Sequence, residues 1–237
     1  MDILKDKTIE QVIDFSNNNK KKKYEEETFP KIKFDLLKMF YGEPYNVTDK
    51  IIIYQPSISD ILKDEELFYQ TLNIFVSNPT SYRLKLWKIG IDWNKISEFE
   101  LFKILMNGID PKISSILFGD LDFSSFSVYN KRLEGKEEIV LYDPVKKIEI
   151  NKKIHNHIVQ YLRTMFNIFP KVEKARGKAT KEAIIFEDEQ NLISAEKAGK
   201  ETGFESFLLP LISSCLIHPG FKYKKNELKE VGIYEFM

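Results

Sequence analysis

A chain of 237 residues, 43% hydrophobic and 13% aromatic with 10 glycines and 9 prolines, can bury the core of one large domain or two small ones, which excludes a disordered polymer. Thirty-six basic residues balance 36 acidic ones, so no global field draws the protein to nucleic acid or an anionic membrane; any such preference needs a local patch. One cysteine, Cys215, excludes an internal disulfide framework and a cysteine-built zinc cluster, and suits a reducing compartment.

The opening "MDILKDKTIEQVIDF" is charged throughout and lacks the apolar centre of a signal peptide. Ile9, Val12 and Ile13 behind Thr8 predict a short helix over 8–15. "SNNNKKKKYEEE" then reads as a solvated tether, because each lysine precedes its glutamate, the weaker orientation for helix pairing. Turn residues at Gly42-Glu43-Pro44 and Thr48-Asp49-Lys50 frame Tyr45, Val47 and the run 51–54, which predicts a β-hairpin. "SISDILKDEELFYQTLNIFVSNP" is helical, with cap candidates Ser57 and Ser59 and a stop at Asn78-Pro79. Three short helices follow. One ends near Gly90, one opens with Ser97 and Glu100 at capping-box spacing, and one begins at Pro111.

Strands return over 123–150, with turns at Glu134-Gly135 and Asp143-Pro144. Ile154, Ile158, Tyr161, Leu162, Met165 and Phe166 then form the clearest amphipathic helical stripe in the chain. Helices are expected over 180–198 and 203–216, and an incipient one in "NELKEVGIYEFM", where the pattern stops without a capping signal. No internal repeat and no long βαβ alternation occurs. The predicted class is therefore α+β, predominantly helical, with small antiparallel β elements. The expected division is an N-terminal helix and tether (1–28), a hairpin with a helical layer (29–133), and short strands leading to a helical C-terminal region (134–237).

"KARGKATKEAIIFEDE" has the outline of a phosphate loop followed by an acidic metal-binding strand end. A Walker-type loop needs a glycine five residues before its Gly-Lys and a hydroxyl just after it; Val172 and Ala179 stand there. Ala183, Ile184, Leu192 and Ile193 carry helical spacing through the acidic part. What survives is the charge. Lys171, Lys174, Arg176, Lys178 and Lys181 put five cations in eleven residues against Glu173 alone, a candidate partner-contact patch for phosphates or an acidic protein surface. In "HNH", His155 and His157 sit two apart on a helix and point about 200° apart, so they cannot share a metal and read as surface or helix-face residues. Cys215 and His218 have the spacing of a thiolate pair. Cys215 lies among leucine and isoleucine and reads as a small buried apolar group, with His218 at the helix end. Tyr82, Trp87, Trp93 and Phe99, interleaved with Arg83, Lys85 and Lys88, could stack bases but are explained as well by core packing. No catalytic, cofactor or metal residues emerge, and no cofactor is expected.

"YGEPYNVTDKIIIYQPSISDIL", "FYQTLNIFVSNPTSYRLKLWKIGIDWNKISEFELFKIL" and "HPGFKYKKNELKEVGIYEFM" resemble proteins of the tail-morphogenesis modules of bacteriophages infecting low-GC Gram-positive hosts, in particular tail assembly chaperone-like proteins. The likeness spans about half the chain. It carries no functional residue onto a particular position. It implies a non-enzymatic protein of the host cytoplasm that binds the long helical tape measure protein or other phage tail proteins, taking an amphipathic helix onto exposed apolar helical positions. In this family the C-terminal region continues into a further helix, which would make Met237 a departure or a truncation. A homo-oligomer is compatible with this expectation; nucleic acid and membrane are not expected partners. The competing expectations are a virion component of connector or baseplate type, and a nucleic-acid-associated protein using the 171–181 patch.

Overall fold

The computed structural model describes residues 29–133, 136–197 and 205–237. The helix expected over 8–15, its tether and the turn at Glu134-Gly135 lie outside the described residues.

Local side-chain chemistry sets most element boundaries. Asp35 accepts from the N–H groups of Leu37 and Lys38 and opens α1 (Leu36–Phe40). Thr48 Oγ1 accepts from the N–H groups of Lys50 and Ile51, closing the turn between β1 (Tyr45–Thr48) and β2 (Ile51–Ile53), which pair antiparallel. A full capping box of Ser57 and Asp60 starts α2 (Ile58–Leu62). Asp64 then accepts from Leu67 N–H at the start of α3 (Glu65–Val76), so the helical stretch expected between the Ser57 cap and the Asn78-Pro79 stop consists of two helices. Asn78 caps a 3₁₀ turn, Pro79–Tyr82, leading into α4 (Arg83–Lys88). Ser97 and Glu100 exchange capping bonds at α5 (Glu98–Leu105), and Asp110-Pro111 opens α6 (Pro111–Phe118).

β3 (Ser127–Leu133), β4 (Lys136–Asp143) and β5 (Ile148–Ile150) form the second antiparallel sheet, in the order β3-β4-β5. Asp143 is buried at its far turn. Burial opposes its charge, but Ser125 Oγ and the N–H groups of Lys146 and Val145 all donate to it. They hold its carboxyl below the usual range. After these come α7 (Lys152–Met165), α8 (Lys178–Lys197), α9 (Leu208–Ile217), a 3₁₀ turn Glu227–Glu230 and α10 (Ile233–Phe236). The fold is α+β, predominantly helical, with two small antiparallel sheets among the described residues.

The chain divides into two compact units built from interleaved segments. The larger takes Phe29–Val76, Met106–Phe169 and Ser206–Met237. Its centre is aromatic: the rings of Phe75, Phe118 and Phe123 meet pairwise at centroid distances of 5.0, 5.0 and 5.1 Å, and Phe68 meets Phe166 at 5.8 Å. Ile158, Val159, Leu162 and Met165 give α7 its buried face. Arg163 Nε donates to the Val76 carbonyl at 2.8 Å, satisfying an end of α3. At Gly119 the backbone turns at φ +60°, and a Cβ there would stand 3.0 Å from the Tyr54 ring.

The C-terminal segment differs from the incipient helix expected for it. The pattern breaks at Gly232, which forms a bridge to Ser57, while Ile58 N–H donates to Val231 O and Ile233 N–H to Pro56 O. A Cβ at position 232 would fall 2.8 Å from Gln55 Oε1, the far end of a flexible side chain, so a larger residue there would displace the Gln55 amide.

Candidate functional site

The smaller unit holds the basic stretch, and it is built by long-range polar bonds. Residues 170–177 form an extended strap with no regular secondary structure. Such a backbone must find hydrogen-bond partners, and side chains of 78–94 supply them. Asn78 Nδ2 donates to the carbonyls of Pro170 and Lys171 at 3.2 and 3.1 Å. Thr80 Oγ1 donates to the Glu173 carbonyl and accepts from its N–H. Trp93 Nε1 donates to the same carbonyl at 3.3 Å, and Asn94 Nδ2 donates to Ala175 O at 2.5 Å. Ala175 is buried beneath these bonds.

Ion pairs reinforce the strap. Arg83 makes a bidentate pair with Asp188 on α8, at 2.6 and 2.7 Å, and also bonds Glu173. The Glu173 carboxyl lies below its ordinary range because Lys171 donates to it and, next, because Arg83 does. Lys181 meets Asp92 at 2.5 Å, with both side chains mostly buried, and its ammonium stands 5.9 Å from the Trp93 ring centre.

The five cations therefore part company. Lys181 serves an interior ion pair; Lys171 faces Glu173 and Lys178 faces Glu182 at 3.7 Å, both from exposed positions. Lys174 and Arg176 are exposed on the strap. Within 171–189 five carboxylates, Glu173, Glu182, Glu187, Asp188 and Glu189, match the five cations. The aromatic and basic residues of the same unit behave likewise. Trp93 and Phe99 are buried, Trp87 meets Trp93 edge-on at 5.8 Å, and Lys88 pairs with Glu189. They build the fold rather than a stacking surface.

The helical spacing of Ala183, Ile184, Leu192 and Ile193 corresponds to α8. Only Ile185 is buried; Phe186, Leu192 and Ile193 are exposed. The spacing is helical, yet within the described residues no apolar layer covers that stripe.

The larger unit contains a stronger case. α9, "LLPLISSCLI", carries no charge along its length, and Leu208 is its one buried residue. Its first turn is anchored: Ser206 Oγ and Leu208 N–H both donate to the Glu65 carboxylate, at 2.7 and 2.9 Å, and the Phe207 ring lies 4.8 Å from that of Tyr69. Burial, and then the Glu65 charge, push the Tyr69 hydroxyl up to about 12. Beyond the anchor Leu209, Leu211, Leu216 and Ile217 are exposed, Ile217 at 81%. Cys215 is half-buried rather than buried, because the apolar neighbours that predicted its burial are themselves uncovered. His218 ends the helix, and its Nδ1 accepts from Gly220 N–H at 3.2 Å.

On α7 the two histidines of "HNH" diverge. His155 is buried, an interior position where a surface or helix-face one was expected, and burial with the nearby Arg163 charge lowers it to about 3. His157 Nε2 lies 2.6 Å from Tyr45 Oη, beside a stack in which the Tyr45 and Tyr161 rings are 4.1 Å apart. Among the described residues no group of three His, Cys, Asp or Glu side chains could hold a metal ion, and no helix is long and apolar enough to cross a membrane.

No family model, no curated protein and no solved structure matches this chain.

Proposed function

We propose that this protein is a non-enzymatic assembly factor of bacteriophage tail morphogenesis, a chaperone that binds the helical tape measure protein through α9. The observation that carries the reading is the apolar surface of α9, which stands exposed among the described residues. A helix that is apolar all round belongs in an interior, and one left exposed on an anchored base fits a surface awaiting a partner. The absence of charge on α9 specifies that partner's chemistry: an apolar stripe, of the kind an amphipathic client helix presents. The resemblance of 41–105 and 218–237 to tail assembly chaperone-like proteins points the same way.

The test is co-expression with the tape measure protein encoded beside it in the same genome. Stoichiometric co-purification is expected, and it should survive high salt because the contact is apolar rather than ionic. Purified phage particles should lack the protein by mass spectrometry; its presence at structural copy number would move the assignment to a connector or baseplate component. The nucleic-acid reading has less support. The geometry turns Lys181 inward and sets carboxylates against Lys171 and Lys178, whereas phosphate binding needs cations turned outward.

A further inference from the structure

The three-stranded sheet of the larger unit ends on an open edge. Among the described residues β3 pairs with β4 alone, over its full length from Ser127↔Tyr142 to Leu133↔Lys136. No described strand takes its other edge, and a seven-residue strand at the edge of a sheet is a template for another strand. The side chains agree: Ser127, Val128, Tyr129 and Asn130 are all exposed, Val128 at 60% and Tyr129 at 57%. Apolar residues are left in water on the very strand whose edge is free.

The charges of β3 choose the occupant. An acidic strand would meet Lys131 and Arg132 in any register, but Lys131 is already neutralised by Glu149 at 2.8 Å. A second β3 fits in one register above the others. Two antiparallel copies must cross at a residue, because only groups of like direction can pair. Crossing at Lys131 or Arg132 sets a cation on its own copy, which is unfavourable. Crossing at Tyr129 forfeits part of the strand overlap. Crossing at Asn130 keeps all seven residues paired, places Lys131 opposite Tyr129 of the second copy on one face, and places Arg132 opposite Val128 on the other. Each cation then meets an aromatic or aliphatic side chain. The same strand that repels itself in the wrong register is self-complementary in this one.

We propose that two copies of this chain pair through β3, antiparallel about a two-fold axis at Asn130, to make one continuous six-stranded sheet. Such an isologous contact closes on itself and leaves β5, not β3, at each outer edge. It uses different residues from α9, so it stands or falls separately from the client reading.

Sedimentation equilibrium on the full chain should give a dimer. Register is tested in a Cys215→Ser background. With Asn130→Cys, the paired Cα atoms would lie roughly 4.5–5.5 Å apart, within disulfide reach. Oxidised glutathione should therefore yield a covalent dimer. Val128→Cys alone and Arg132→Cys alone should not cross-link, whereas an equimolar mixture of the two should. Val128→Lys, which sets two like charges opposite Arg132 in a pair repeated by symmetry, should weaken the dimer about tenfold. A monomer at all concentrations overturns the proposal. So does a dimer that cross-links in another register, or one abolished by Leu211→Asp on α9 and untouched by Val128→Lys.

Discussion

The strap 170–177 and helix α9 treat their side chains in opposite ways. The strap has no regular structure, yet its carbonyls at Pro170, Lys171, Glu173 and Ala175 accept bonds from side chains about eighty to ninety residues earlier, and its Lys171 faces Glu173. α9 is a regular helix with satisfied backbone bonds, yet most of its apolar side chains stand in water. Charge attracts attention in a sequence, but here the charged stretch is largely satisfied within its own unit. The unsatisfied surface is the apolar one. A polar group left without a partner costs about 1–3 kcal/mol, so folding tends to settle it internally. Exposed apolar area costs about 25 cal/mol per Å² and is retained where another molecule covers it.

The comparison can be broken most forcefully at Arg83. Arg83→Ala strips Glu173 and Asp188 of their shared cation and should destabilise the smaller unit by about 2 kcal/mol, since the pairs are only partly exposed. Urea unfolding followed by the fluorescence of Trp87 and Trp93, both in the smaller unit, reads this directly. Thr80→Val comes next. It removes the one side chain that both donates to and accepts from Glu173, and should cost about 1 kcal/mol. A change under a few tenths would mean that water serves the strap equally well.

Acid probes the same bonds without a mutation. The folded Glu173 carboxyl lies below its ordinary value of 4.5, so its contribution is complete above that value and is lost as pH falls through the folded one. The amide protection factors over 170–177, which divide out the intrinsic pH dependence of exchange, should therefore fall below pH 4.5 and stay flat above it, and Glu173→Gln should remove this acid-dependent part. The smallest effect belongs to the exposed cations. Lys174→Gln with Arg176→Gln should shift stability by less than about 0.5 kcal/mol and leave client binding unchanged. Loss of salt-sensitive nucleic-acid binding in that variant would instead restore the patch as a functional site.

Much of the fold is legible in the sequence because its signals are local. Ser97 with Glu100, Asp110 before Pro111, and the Thr48 turn each act across three residues or fewer, and the structure places helix or strand ends there. The stripe on α7 also reads directly, because periodicity on one helix needs no knowledge of its partner. The site is less legible. The Arg83 pairs span 90 and 105 residues, so Lys171–Lys181 looked cationic with only Glu173 in view. α9 misled in the other direction. "FLLPLISSCLI" has the composition of a core element, and composition does not say whether the chain supplies the cover. Gly232 shows the same limit: its spacing continues a helix, but the bridge to Ser57 interrupts it.

The central claim is that α9 is the client surface. It is tested most directly by titrating tape measure protein into the wild-type chain and into Leu211→Asp/Leu216→Asp, with circular dichroism and urea unfolding as controls. Both positions are exposed, so the variant should keep its stability within about 0.5 kcal/mol. The account predicts tight, salt-insensitive binding by the wild type and at least about a hundredfold weaker binding by the variant, about 2.7 kcal/mol. Equal binding by both proteins, or none by either, would contradict it.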